Sequence, residues 1–357
     1  AQILEDQNGR RFTAEFPAHV KSDVQYGNEA KVSAVYMSQF QLIPYQRVQD
    51  QFAEQMNLPL STGTIFNFNK EAYDAIIGRF TMVITMMQKD PNKIMSDSLS
   101  MNMTNYHPRT FLLTPESMKR INYDDINYIY KTAFDDASSF TFFITGNVDE
   151  AVARDMAKLY IGSLPSKYQT ESYRNLGMDQ PEGTVKKDIF IPLTVPKATV
   201  VINYSADAEY KPAGYLSLDV LKGILDLVYT EKVREEQGGT YGVSLNAGSQ
   251  KRPEEKATLL IAFECDPERA SELKKIIYAE LDAIAKKGPR QVDLDKTVSN
   301  LLKTREEAQQ HNSYWANAVS SYYLNGIDIN DSRNYADILN KLTVKKMKKA
   351  TKKFLSE

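Results

Sequence analysis

Arg234 and Tyr241 stand on either side of the glycine pair Gly238-Gly239, within the run Val-Arg-Glu-Glu-Gln-Gly-Gly-Thr-Tyr-Gly-Val at residues 233–243. A guanidinium offers a fork of N–H donors and a phenol a single O–H. Together they suit the holding of a peptide carbonyl or of an oxyanion as charge develops on it. The same two residues have a plainer reading. An arginine in the last turn of a helix is favoured by the helix dipole, and a tyrosine is an ordinary strand residue. Spacing alone leaves both readings open.

Two elements must position the pair. Apolar residues at helical spacing over residues 215–236 predict a long amphipathic helix that runs into the motif. Gly238-Gly239 would end it, because glycine adopts left-handed backbone angles at little cost. A strand is expected over residues 241–249. The turn then leaves Arg234 on the last helical turn and Tyr241 at the strand's start, so both side chains can converge on one point.

Other chemistry is sparse. The three histidines are His19, His107 and His311, and none has a partner at metal-ligand spacing or lies in His-x-x-Glu-His in either direction. His107 precedes Pro108 in an expected loop and His311 ends a polar helix, so both are expected as surface or capping residues. The single cysteine, Cys265, excludes an internal disulfide and a multi-cysteine metal site. It ends the apolar run Leu259-Leu260-Ile261-Ala262-Phe263 and is expected as a buried thiol. Gly238-Gly239 follows a helix rather than preceding one, the wrong order for cradling phosphate. No carboxylate pair stands out as an acid–base couple.

The bulk properties agree. The chain has 357 residues, 42% hydrophobic and 25% charged, with a formal net charge of −2. That length allows two or three domains, and that charge gives no field drawing the chain to nucleic acid. The basic run Lys345-Lys346-Met347-Lys348-Lys349 reads most simply as the solvated face of a last helix. No membrane span is expected, and no signal peptide is visible, so the chain as written is expected to stay in the cytoplasm.

The motif has company. Arg-Glu-x-x-Gly-Gly-Thr-Tyr-Gly-Val is followed by a strand pair and by Cys265-Asp266-Pro267-Glu268-Arg269 opening a helix. Then come Thr304-Arg305-Glu306 and Asn312-Ser313-Tyr314-Trp315. Upstream lie Phe140-Thr141-Phe142-Phe143-Ile144-Thr145-Gly146-Asn147-Val148-Asp149 and Tyr160-Ile161-Gly162-Ser163-Leu164-Pro165. This ordered series resembles the C-terminal half of the insulinase/pitrilysin-type zinc peptidases, the longer bacterial forms above all, from about residue 68 onward. The resemblance implies that zinc and the general base belong to an N-terminal half with an inverted His-x-x-Glu-His helix. It also implies that Arg234 and Tyr241 bind substrate, and that the long forms are often periplasmic.

The expected organisation has three parts. Residues 1–66 read as helical, and their series resembles the middle of an insertion-sequence transposase, without its catalytic carboxylates. Residues 67–165 read as a partial half-domain whose first strands are missing. Its run Phe140 to Ile144 reads as a strand that wants neighbours. Residues 166–357 read as a complete half-domain, with strands at 188–193, 198–204, 241–249 and 257–265 and helices at 212–236, 267–287, 292–310, 313–325, 328–342 and 344–355. Strands grouped with helices on one face give an α+β sandwich, a mixed or antiparallel sheet packed by helices.

Three functions follow as expectations. The first is the zinc-free, substrate-binding half of a zinc metalloendopeptidase. It would act on peptides and be inactive without a separate zinc-bearing half or subunit. The second is a non-catalytic scaffold of the same fold. The third is a transposase/peptidase fusion remnant. Arg234 and Tyr241 favour the first; near-neutral charge and the absent carboxylates weigh against DNA binding.

Overall fold

The computed structural model describes residues 3–13, 25–169, 172–235 and 242–356. The chain divides into two units, Ala1–Ser98 with Phe111–Ala133 and Leu99–Thr110 with Phe134–Glu357.

In the first unit, β1 (Ile3–Glu5) pairs antiparallel with β2 (Arg11–Thr13). The Asp6 carboxylate closes the turn by accepting from Asn8 N at 2.9 Å and Arg10 N at 2.8 Å. Gly9 takes the left-handed angle there, at φ +76°. This hairpin departs from the helical reading of residues 1–66, and Asn8-Gly9 is the sequence signal for it. Helices α1 (Asn28–Val35), α2 (Tyr45–Met56) and α3 (Thr62–Met87) follow. They are succeeded by α4 (Pro91–Met103), whose last residues belong to the second unit, α5 (Pro115–Lys119) and α6 (Tyr123–Phe134). Helix α2 ends on Asn57 in the left-handed region (φ 50°), and α3 starts on Ser61, whose hydroxyl accepts from Thr64 N.

A small core joins these helices. Ala34, Val48, Phe52, Leu60, Ile65 and Phe68 are buried together. Beside them Asn69 donates to Tyr45 OH at 2.9 Å and bonds Ser38 at 3.1 Å, and the Ser38 hydroxyl donates to Ala34 O at 2.7 Å. Helix α3 begins at Thr62 and runs unbroken across the boundary expected between residues 66 and 67. Its first turns complete the apolar face that Val48 and Phe52 begin.

The second unit holds α7 (Glu150–Met156), β3 (Ala198–Asp207), α8 (Pro212–Tyr229), β4 (Val243–Gln250) and β5 (Lys256–Cys265). It continues with α9 (Ala270–Lys287), α10 (Gln291–Ala308), α11 (Asn312–Asn325), α12 (Ala336–Asn340) and α13 (Val344–Ser356). The strands form an antiparallel sheet in the order β3-β5-β4, with Ile202 and Leu245 both opposite Ile261. Alternate residues of β5, from Ala257 to Cys265, are buried against α8, α9 and α13. The other alternate residues are less buried, the pattern of a sheet covered on one face. This is the α+β arrangement the sequence led one to expect.

Several expected elements differ. Phe140 to Ile144 and residues 188–193 form no ladder among the described residues, and a strand exists only where another lies beside it. The helix expected over 328–342 breaks into a 3₁₀ turn, Ser332–Asn334, and short α12, since Asp331 caps the turn through Arg333 N at 2.9 Å. Asp266 precedes the 3₁₀ turn Pro267–Arg269, but its side chain makes no capping bond. Helix α8 passes into a π-helical segment, Thr230–Glu235, instead of staying α-helical to the glycines.

Phe52 is wholly buried in the core of the first unit. Phe52→Ala should therefore destabilise that unit by about 3–5 kcal/mol in urea unfolding. A loss under about 1 kcal/mol would mean that these helices do not share a core.

Candidate functional site

Helix α8 carries the candidate site on its C-terminal end. Leu216, Val220, Leu221, Ile224, Leu225, Val228 and Tyr229 recur at helical spacing and are buried against the sheet and α9. Each such side chain contributes about 1.5–3 kcal/mol when fully removed from water, so the helix cannot rotate without exposing its stripe. Tyr229 adds a fixed bond, donating its hydroxyl to Ile277 O of α9 at 3.1 Å. Burial pushes the phenol of Tyr229 well above its ordinary range, and those of Tyr204 and Tyr215 up to about 12. All three are neutral core groups.

The segment Thr230–Glu235 is held from α10 as well. Arg290 donates to both carboxylate oxygens of Glu231, at 3.1 and 2.6 Å. It also bonds Asp293, from Nε at 2.6 Å and Nη2 at 3.1 Å. A two-pronged arginine–carboxylate pair fixes direction as well as distance. Glu231 is held below the ordinary carboxylate range, chiefly by these Arg290 bonds, and Arg290 is raised by Asp293 and then Glu231. Gly223 allows the approach: a Cβ there would stand 2.5 Å from Thr297 Cγ2 of α10. None of this was visible in local sequence pattern, since Glu231 and Arg290 are 59 residues apart.

The backbone of Arg234 lies in this anchored segment, next to Val233, which is fully buried. The side chain of Arg234, the glycine pair and Tyr241 lie outside the described residues, and so does the convergence expected of the two site residues. Gly242 then leads into β4, and β4 is an edge of the sheet. One side of β4 pairs with β5; the other has no strand beside it among the described residues.

Other motif residues are structural. Arg305 stacks over Tyr335 with 4.0 Å to the ring centroid, lies 5.7 Å from that of Tyr314, and donates to Ile329 O. Trp315 donates from Nε1 to Gln309 O at 2.9 Å. His107 accepts from Arg109 N at 3.1 Å, a local turn bond, and His311 is exposed ahead of α11. His19 lies outside the described residues. Cys265 is buried and its thiol is pushed up by burial first and Asp266 second. Among the described residues no group of three or more His, Cys, Asp or Glu could hold a metal ion, and no helix is long and apolar enough to cross a membrane.

The family model described as "Peptidase M16 inactive domain" matches residues 120–301, which include α8, its turn and the whole sheet. A "Zinc protease PQQL-like" from Arabidopsis thaliana is 25% identical over 213 residues, covering 54% of this chain and 22% of that protein. "Probable zinc protease PqqL" from Haemophilus influenzae is 27% identical over 201 residues, covering 56% and 20%. The chain thus spans about a fifth of the length of these relatives. Two solved structures share the fold. The periplasmic protease PqqL from Escherichia coli matches with a TM-score of 0.66 at 20% identity, covering 81% of this chain and 32% of that one. The peptidase M16 inactive domain from Pseudomonas fluorescens matches at 0.58 and 17%, covering 80% and 68%.

The Glu231 tie gives the segment a pH dependence. A carboxyl held below its ordinary value of 4.5 contributes stability that is full above that value and is lost as pH falls through the lower, folded one. Amide protection of residues 230–235, corrected for intrinsic exchange, should hold steady from neutral pH down to about 5 and then fall. Arg290→Ala should lower it at neutral pH and abolish the acid step. Protection that is flat with pH in both proteins would remove Arg290 as the anchor.

Proposed function

This chain belongs to the peptidase M16 family, as a member carrying its inactive domain, and from that premise we propose that it is the zinc-free, substrate-binding half of a zinc metalloendopeptidase. A separate N-terminal half or subunit would supply zinc and the general base. That metal would lower the pKa of a bound water and polarise the scissile carbonyl. The residues of this chain would hold the peptide. Arg234 would take a carbonyl or developing oxyanion from the last turn after α8, and Tyr241 would add its hydroxyl from the start of β4. An extended peptide could lie along the free edge of β4, its main chain bonding to the strand's outward N–H and C=O groups.

The observation that carries this reading is the family match across residues 120–301, which runs through the Arg-x-x-x-Gly-Gly-x-Tyr turn. The anchoring of Thr230–Glu235 by Glu231 and Tyr229 supports it, since a donor that stabilises a transition state must be positioned in advance.

Purified chain with added zinc should show no chelator-sensitive cleavage of an unstructured peptide. With a complementing zinc-bearing half, Arg234→Ala and Tyr241→Phe should each lower kcat/KM about 10²–10³-fold. Chelator-sensitive turnover by the chain alone would sink the division of labour. Full activity of both variants in the reconstituted enzyme would leave only the scaffold role.

A further inference from the structure

Helix α13 presents a face of lysines to solvent. On its other side Met347 and Thr351 are buried, and Val344, Phe354 and Leu355 pack on the core. Val344 sits against Gly288, where a Cβ would stand 2.5 Å from its Cγ1. Phe354 faces Tyr204, ring centroids 6.5 Å apart. The helix is thus pinned at both ends and its rotation is fixed. At 3.6 residues per turn, Lys345, Lys348, Lys349 and Lys352 fall in one strip opposite the buried side, and Lys346 and Lys353 flank it. All six are exposed. Lys287, exposed at the end of α9, precedes Gly288, whose Cβ position lies 3.6 Å from Lys348 Cβ, and so extends the strip.

Folding does not account for this strip. Elsewhere in the chain helical lysines have a carboxylate one turn away: Lys93 with Asp97, Lys222 with Asp226, Lys286 with Asp282 and Lys303 with Glu307. Helix α13 has none, since no Asp or Glu occurs from residue 338 to residue 356. Asp337, just ahead of that stretch, pairs with Lys341. Like charges one turn apart, as at Lys345 and Lys349 or Lys348 and Lys352, destabilise a helix. Lys345 and Lys346 also stand in the first turn, the end at which the helix dipole disfavours a cation. Positive charge kept against the preference of the fold points to an anionic partner. The composition says which. Residues 344–353 hold no arginine to fork onto a base edge and no aromatic ring on which a base could stack. A layer of anionic headgroups asks only for point charges held in one plane. We propose that the outer face of α13 docks the chain on an anionic lipid surface. The apolar side of the helix is committed to the core, so the helix lies on the headgroups without entering the membrane, and the attachment is electrostatic. It is independent of the peptide-holding role of the turn between α8 and β4.

Co-sedimentation of the full chain with lipid vesicles tests this. At about 0.1 M salt the chain should bind vesicles of equal phosphatidylglycerol and phosphatidylcholine and leave pure phosphatidylcholine alone. About 1 M salt should release it, since the Debye length then falls to about 3 Å. Lys348→Glu with Lys349→Glu should weaken binding at least about twentyfold, at about fivefold for each lysine lost from the surface; both side chains are exposed, and circular dichroism confirms the fold. Lys348→Arg with Lys349→Arg keeps both charges and should bind like the wild type. The same charge change on α10, Lys296→Glu with Lys303→Glu, should also leave binding close to the wild type. A wild-type chain that ignores the anionic vesicles overturns the proposal. So does binding indifferent to the α13 reversal, which places the contact elsewhere. Duplex DNA bound more tightly than the vesicles at the same salt overturns it too, and makes the strip a nucleic-acid surface.

Discussion

The burial of α8 against the central strand is the constraint on which the second unit depends. β5 runs between β3 and β4 and turns its alternate residues Ala257, Leu259, Ile261, Phe263 and Cys265 into one face. Helix α8 lays its apolar stripe on that face, and α9 and α13 complete the cover. A helix so gripped has a fixed rotation and a fixed end. The end is the segment Thr230–Glu235, and the next strand, β4, lies in the same sheet. The core therefore fixes both the segment before the glycine pair and the strand after it.

Polar contacts refine what burial sets. Tyr229 ties the end of α8 to α9 through its hydroxyl, and Arg290 ties Glu231 to the start of α10. The Glu231–Arg290 pair is exposed, so its worth lies in direction more than in stability. Gly223 lets α8 and α10 lie close, since a Cβ there would stand 2.5 Å from Thr297 Cγ2 of α10. The first unit is organised by the same rule on a smaller scale. There Val48 and Phe52 of α2 meet Ile65 and Phe68 of α3 over the buried Ser38–Asn69–Tyr45 bonds.

The parts legible in sequence were those written in local pattern. Helices α10, α11 and α13 fall within a few residues of their expected bounds. β5 was plain from its apolar run, and Cys265 is the buried thiol it promised to be. What failed needed non-local knowledge. Phe140 to Ile144 has every strand propensity and no neighbour, so it makes no ladder. The stretch 328–342 has helical composition, but Asp331 and its bonds to Arg333 break it into short turns. The Glu231–Arg290 tie joins two helices distant in sequence, and no periodicity could announce it. For the site itself, the backbone of Arg234 lies in the helical segment Thr230–Glu235, while its side chain and Tyr241 fall outside the described residues.

The central claim is that a peptide is held where α8 passes into β4. Hydrogen exchange on the full chain, with and without saturating unstructured peptide and no zinc-bearing half present, tests it most directly. The account predicts slowed exchange in Thr230–Glu235 and along the free edge of Val243–Gln250, and loss of that slowing in Arg234→Ala. Peptide that binds while leaving both stretches unchanged would contradict it.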